Sequence, residues 1–149
     1  MARHLTSTLR RASLIMALGM MAFAAKADIY VIVNAANPIQ SLSTKEAIDL
    51  FMGRTRFYAS GDHVFTCDLP RDNVTRAHFY RALTGQTQAQ VNSYWARLMF
   101  TGQVMPPQSF ATEKAIIDVV KHNTGAIGYL SYDPQDKNLR VVLIAKDPH

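Results

Sequence analysis

Apolar residues in this chain fall into two kinds of pattern, short continuous runs and helical stripes, and their succession predicts a layered α/β domain. Ile29 to Val33 is an unbroken β-branched and aromatic run. The turn-forming Asn34-Ala35-Ala36-Asn37-Pro38 follows it, which suits a strand buried on both faces. Ser43 stands three residues before Glu46, the spacing of a capping box. Ala47, Ile48, Leu50, Phe51 and Met52 then give a helix from about Thr44 to Met52 its apolar side, before Gly53 stops it. Past a polar, aromatic loop from Arg54 to Asp62, Val64 to Cys67 reads as a second strand ending near Asp68, and Pro70 prevents its continuation.

Asp72, Asn73 and Thr75 are candidate caps for a helix that carries Ala77, Phe79, Tyr80 and Leu83 and closes at Gly85. Thr87 and Gln90 repeat the capping-box spacing. Val91, Tyr94, Trp95, Leu98 and Met99 behind them form the clearest amphipathic stripe in the chain, which assigns Tyr94 and Trp95 to the core. Gly102 and Pro106-Pro107 end that helix, and Ala115, Ile116, Val119 and Val120 stripe the next. Asn123 to Tyr129 then reads as helix stop and buried strand. Gly125 supplies a positive φ, and Gly128 admits close approach of a neighbouring element. Leu139 to Ala145 is the last strand, after a turn at Pro134. The alternation of strand and helix favours a mostly parallel sheet flanked by helices, with right-handed crossovers.

Residues 1–27 carry the three parts of a secretory signal: Arg3, Arg10 and Arg11, an apolar run from Ala12 to Ala25, and small residues at Ala25 and Ala27. The run is too short to cross a bilayer and no Cys follows it to carry a lipid, so the expected product is a periplasmic protein, residues 28–149, without membrane insertion. The leader also changes the charge. The whole chain is formally +5, but 12 basic against 11 acidic residues beyond Ala27 leave +1, which removes the case for nucleic acid. The remaining 122 residues fit one domain. Cys67 is alone, beside the strand-like Phe65 and Thr66, and is assigned to the core.

With these elements placed, the chain resembles the periplasmic phosphate-binding proteins of ABC importers, specifically their second lobe. The likeness rests on Val31-Ile32-Val33-Asn34 with Asn37-Pro38, on Leu42-Ser43-Thr44-Lys45-Glu46 leading to Leu50-Phe51-Met52-Gly53-Arg54, on the strand and helix from Asp68 to Leu83, and on Thr124-Gly125-Ala126-Ile127-Gly128-Tyr129. The resemblance implies a single periplasmic-binding-protein-like α/β lobe that takes phosphate or a similar small oxyanion, without catalysis. In that family a strand ends in Arg, and a following Ser-Gly-Thr opens a helix that grips phosphate. Here the Arg position falls on Asp68 or Leu69, and Ser-Gly-Thr falls on Asn73-Val74-Thr75. The family's first lobe has no counterpart.

The candidate ligand-binding residues are therefore Arg71, Asn73, Val74, Thr75, Arg76 and Asn34. A helix opening after Asp72 offers free N–H groups and the positive end of a dipole, with Arg71 or Arg76 able to fork onto the oxygens of an anion. Asn34 and Asn37 are expected at the same edge, because the carboxyl ends of strands form the ligand edge of an open α/β sheet. Asp68 opposes a simple phosphate site unless it is protonated or paired, and pairing with Arg71 would cancel both charges. His63, Cys67, Asp68 and His78 match no catalytic signature, and the histidines have no metal-ligand spacing; neither a metal nor a cofactor is expected. The alternative to an anion-binding role is an interaction module for a membrane sensor or transporter component. Cleavage after Ala27 makes Asp28 the first residue of the exported protein, an expectation that N-terminal sequencing checks directly.

Overall fold

The computed structural model describes residues 28–147, so the expected leader and the last two residues lie outside it. The described elements are β1 (Ile29–Asn34), α1 (Thr44–Phe51), β2 (Phe65–Asp68), α2 (Val74–Thr84), α3 (Gln88–Phe100), β3 (Gln108–Ser109), α4 (Glu113–His122), β4 (Ala126–Leu130) and β5 (Leu139–Ala145). Local chemistry sets most of these bounds. Ser43 and Glu46 close a full capping box on α1, as Thr87 and Gln90 do on α3, while the Asn73 side chain accepts from the Arg76 amide to start α2. Gly85, at φ 72°, ends α2 in the left-handed conformation that glycine adopts without strain.

The five strands form one sheet in the order β3-β2-β4-β1-β5. β2 pairs parallel with β3 and with β4, whereas β1 pairs antiparallel with both β4 and β5. Four strands thus point one way and β1 alone runs against them. The expected mostly parallel α/β lobe is present, with one reversed strand that the order of elements did not announce. β3 is the other addition: two residues after Pro106-Pro107 are too few to show a period.

β4 is central and buried along its whole length, and the alternation of its side chains shows how the layers divide. Tyr129 points to one face, where its ring stacks on Phe79 of α2 with centroids 3.8 Å apart and meets Phe51 of α1 edge-on at 5.9 Å. Gly128 points to the other face, toward α4. A Cβ placed there would run into the Cγ2 of Ile116 and touch the Cβ of Cys67 at 3.6 Å. Close helix–strand approach is thus the function of Gly128, as expected. Gly125 differs from expectation, since it is not among the positive-φ residues and Asn123 ends α4 in extended conformation. What fixes Gly125 is crowding: a Cβ there would sit 2.9 Å from the carbonyl oxygen of His63.

Gly128→Ala should lower stability by about 1–3 kcal/mol, the usual range for overpacking a filled site. Urea unfolding checks this as a lower midpoint at unchanged slope.

Candidate functional site

Because β1 is reversed, the carboxyl ends of β2, β3, β4 and β5 share one edge of the sheet while Asn34, at the end of β1, lies at the opposite edge. This corrects the expected place of Asn34 and Asn37. The Asn34 amide donates to the carbonyls of Val120 and Lys121 at 3.0 and 2.9 Å, and Asn37 donates to that of Thr124 at 2.8 Å. Both asparagines satisfy the last carbonyls of α4 and the turn into β4. Arg140 secures the same loop from the other side, donating to the carbonyls of Ala35, Asn37 and Ile39.

The other five candidate residues gather at the carboxyl edge of β2. Alternation along β2 sends Cys67 toward Gly128 and α4 and sends Asp68 toward α2 and Tyr129. Asp68, only 4% exposed, is the centre of a closed polar cluster. Its carboxylate accepts from Arg76 Nε at 3.1 Å, from the Tyr80 hydroxyl at 2.9 Å, from the Leu69 amide at 2.8 Å, and from the Tyr129 hydroxyl. Arg76 is equally buried and equally engaged. Its Nη1 donates to Asn92 Oδ1 at 2.8 Å and to Gln88 Oε1 at 3.3 Å, and its guanidinium lies 4.9 Å from the centre of the Tyr80 ring.

Two expectations are corrected by this cluster. The partner of Asp68 is Arg76 and not Arg71, and Arg76 is an internal counter-ion and not a free cation for a ligand. One turn inside α2, its guanidinium points at the sheet and under the start of α3. Burial, reinforced by the Asp68 carboxylate, holds the Tyr80 and Tyr129 hydroxyls well above their ordinary range, so they remain donors. Sequence reading placed both tyrosines in the core without their polar role. The signal was present, because a buried phenol requires a partner and Asp68 was the nearby buried-strand carboxylate. Gln88 and Asn92, four residues apart on one face of α3, were missed because their partner comes from another helix.

The edge itself remains open. Asn73 caps only the Arg76 amide, and among the described residues the amides of Val74 and Thr75 have no acceptor. Arg71 is exposed and, among the described residues, forms no ion pair. Beside it lies a cleft of about 600 Å³. Leu69, Arg71 and the Asp68–Arg76 pair line it, together with Trp95, Ala96, Met99 and Phe100 of α3 and with Pro106-Pro107 and Ser109. Met99, expected in the apolar stripe of the core, is 56% exposed here, and Phe100 is 95% exposed.

Cys67 and Asp68 face opposite sides of the sheet and do not converge. Burial, with Asp68 adjacent, pushes the Cys67 thiol up to about 12, which makes it a poor nucleophile at neutral pH. In the loop before β2, Tyr58 is buried and donates to the Gly125 carbonyl at 3.2 Å, whereas Phe57 stays exposed against His63. No group of His, Cys, Asp and Glu among the described residues could hold a metal ion. No helix among them is long and apolar enough to cross a membrane.

The Asp68 cluster is testable as a unit. Arg76→Met should cost about 3–5 kcal/mol, because it strands a buried carboxylate. In a double-mutant cycle with Asp68→Leu, the double variant should lose far less than the sum of the singles, as measured by urea unfolding.

Comparison with family models and with curated proteins finds no match. Comparison with solved structures finds the fold. A protein assigned as a phosphate ABC transporter substrate-binding protein from Clostridium perfringens, solved with bound phosphate, is 18% identical with a TM-score of 0.60, over 78% of this chain and 45% of its own. An ABC-type phosphate transport receptor from Vibrio cholerae is 18% identical with a TM-score of 0.59, over 78% and 46%. A protein assigned to phosphate binding from Planctomyces limnophilus is 12% identical with a TM-score of 0.56, over 78% and 42%. The chain thus has the α/β fold of phosphate ABC transporter substrate-binding proteins and spans less than half the length of each, as one lobe would.

Proposed function

We propose that this chain is a non-catalytic, periplasmic binding lobe that recognises a small oxyanion, such as phosphate, at the carboxyl edge of β2. The observation that carries the reading is the open start of α2. The Val74 and Thr75 amides lack acceptors, the Thr75 hydroxyl is beside them, and the unpaired Arg71 stands three residues ahead. Helix N-termini favour anions through these free N–H groups and the helix dipole. The bound phosphate of the Clostridium perfringens neighbour, which shares the fold, supports the same ligand class.

Binding at this edge is weak. With Arg76 neutralised by Asp68, one arginine and two amides face solvent, and salt screens exposed charge over about 8–10 Å. A second reading, an interaction module for a membrane sensor or transporter component, draws on the exposure of Phe100 and Met99 at the neighbouring rim. It predicts a crosslinked partner in periplasmic extract, and recovery of the free chain alone counts against it.

Calorimetric titration of the purified protein with inorganic phosphate should give saturable heat with a dissociation constant on the order of 1 mM, tighter at low salt. Arg71→Ala should weaken binding about tenfold, through loss of one charge-assisted contact. Absence of heat from the unaltered protein at low salt overturns the oxyanion reading.

A further inference from the structure

The cleft beside Arg71 is built for more than a bare anion. Its volume of about 600 Å³ lies within the range of small-molecule sites, about 300–1,000 Å³, and its make-up follows theirs: apolar walls with a few polar groups. Trp95, Met99, Phe100 and the Pro106-Pro107 pair supply the apolar surface. The Asp68–Arg76 pair is already neutral, which leaves Arg71 as the one uncompensated cation among the lining residues. Free phosphate is small and strongly hydrated and gains nothing from apolar walls, so Arg71 and the helix start hold it only weakly. The cleft matches a single anionic head attached to an apolar body.

The same wall holds a buried tryptophan. Trp95 is buried, and its indole N–H has no acceptor among the described residues, although buried polar groups are normally paired.

From this we infer that the cleft binds an amphipathic organic anion, a carboxylate or phosphate monoester whose head meets Arg71 and whose hydrocarbon body lies between Met99-Phe100 and Pro106-Pro107. The inference rests on the oxyanion reading and names its ligand class. Phe100 supports it as a residue whose exposure no fold requirement explains. Nearly all of its surface is left to solvent, and it lines the cleft instead of the core. The hydrocarbon supplies the affinity that one arginine cannot, since each buried methylene contributes about a fourfold gain.

Trp95 is the chain's only tryptophan, so its fluorescence reports on this cleft without labelling. The purified protein is titrated with hexyl phosphate, inorganic phosphate and hexanol, following Trp95 emission beside calorimetry. The expected result is that hexyl phosphate binds at least tenfold tighter than either of the others and changes the emission. Phe100→Ser, a surface change that leaves the fold intact, should remove most of the gain from the chain, whereas Arg71→Ala should remove the preference over hexanol. Equal affinity for hexyl phosphate and inorganic phosphate overturns the inference and leaves the oxyanion reading standing. Equal affinity for hexanol and hexyl phosphate, with no binding of inorganic phosphate, overturns both. Silence from hexyl phosphate and hexanol while inorganic phosphate binds overturns the inference and returns the cleft to a protein partner.

Discussion

A carboxylate withdrawn from water has to be met by donors on every side, and most of the architecture around the carboxyl edge of β2 follows from meeting Asp68. The requirement draws Arg76 inward from the first turn of α2, turns the hydroxyls of Tyr80 and Tyr129 toward a common point, and fixes the first peptide after the strand through Leu69. Arg76 in turn needs acceptors for its remaining hydrogens, and these come from Gln88 and Asn92. The start of α3 is thereby held against the start of α2. One buried charge thus joins a strand, two helices and the central strand. Such a cluster specifies arrangement more than it adds stability, because desolvation of both ions offsets much of their attraction.

The same cluster marks where this chain departs from the pattern that its sequence resemblance implies. The resemblance implies an arginine at the end of this strand, available to a ligand. Here the strand ends in a carboxylate, and the chain's own arginine is spent on it. The protein supplies both ion and counter-ion internally. The edge keeps the amides of a helix start and one outer arginine, and adds an apolar wall from α3.

Much of the scaffold was legible because it is written in local chemistry. The capping boxes at Ser43 and Thr87, the cap at Asn73, the stop at Gly85 and the run from Leu139 to Ala145 each specify an element within a few residues of themselves. The direction of β1 was not legible. Its sequence suits a buried strand in either orientation, and only its nonlocal pairing with β4 and β5 decides. That one undetermined direction displaced Asn34 and Asn37 from the candidate site to the far edge. Arg76 was misread for a related reason. Three residues after its cap it resembles any first-turn cation, and its burial becomes visible only when α3, Asp68 and Tyr80 are assembled around it. Met99 and Phe100 show the limit of helical periodicity, which gives the apolar side of a helix but not where along it the covering layer ends.

The reversal of β1 also governs how the lobe connects to anything beyond it. Ile29 pairs with Ala145, so the first and last strands begin and finish side by side, at the same edge that carries Arg71 and the opening of α2. Both ends of the described chain therefore lie at the rim that carries the candidate site. A fusion partner or purification tag at either end would crowd the candidate site, whereas the turn at Ala35–Asn37 on the opposite rim offers a place to tether the protein away from it.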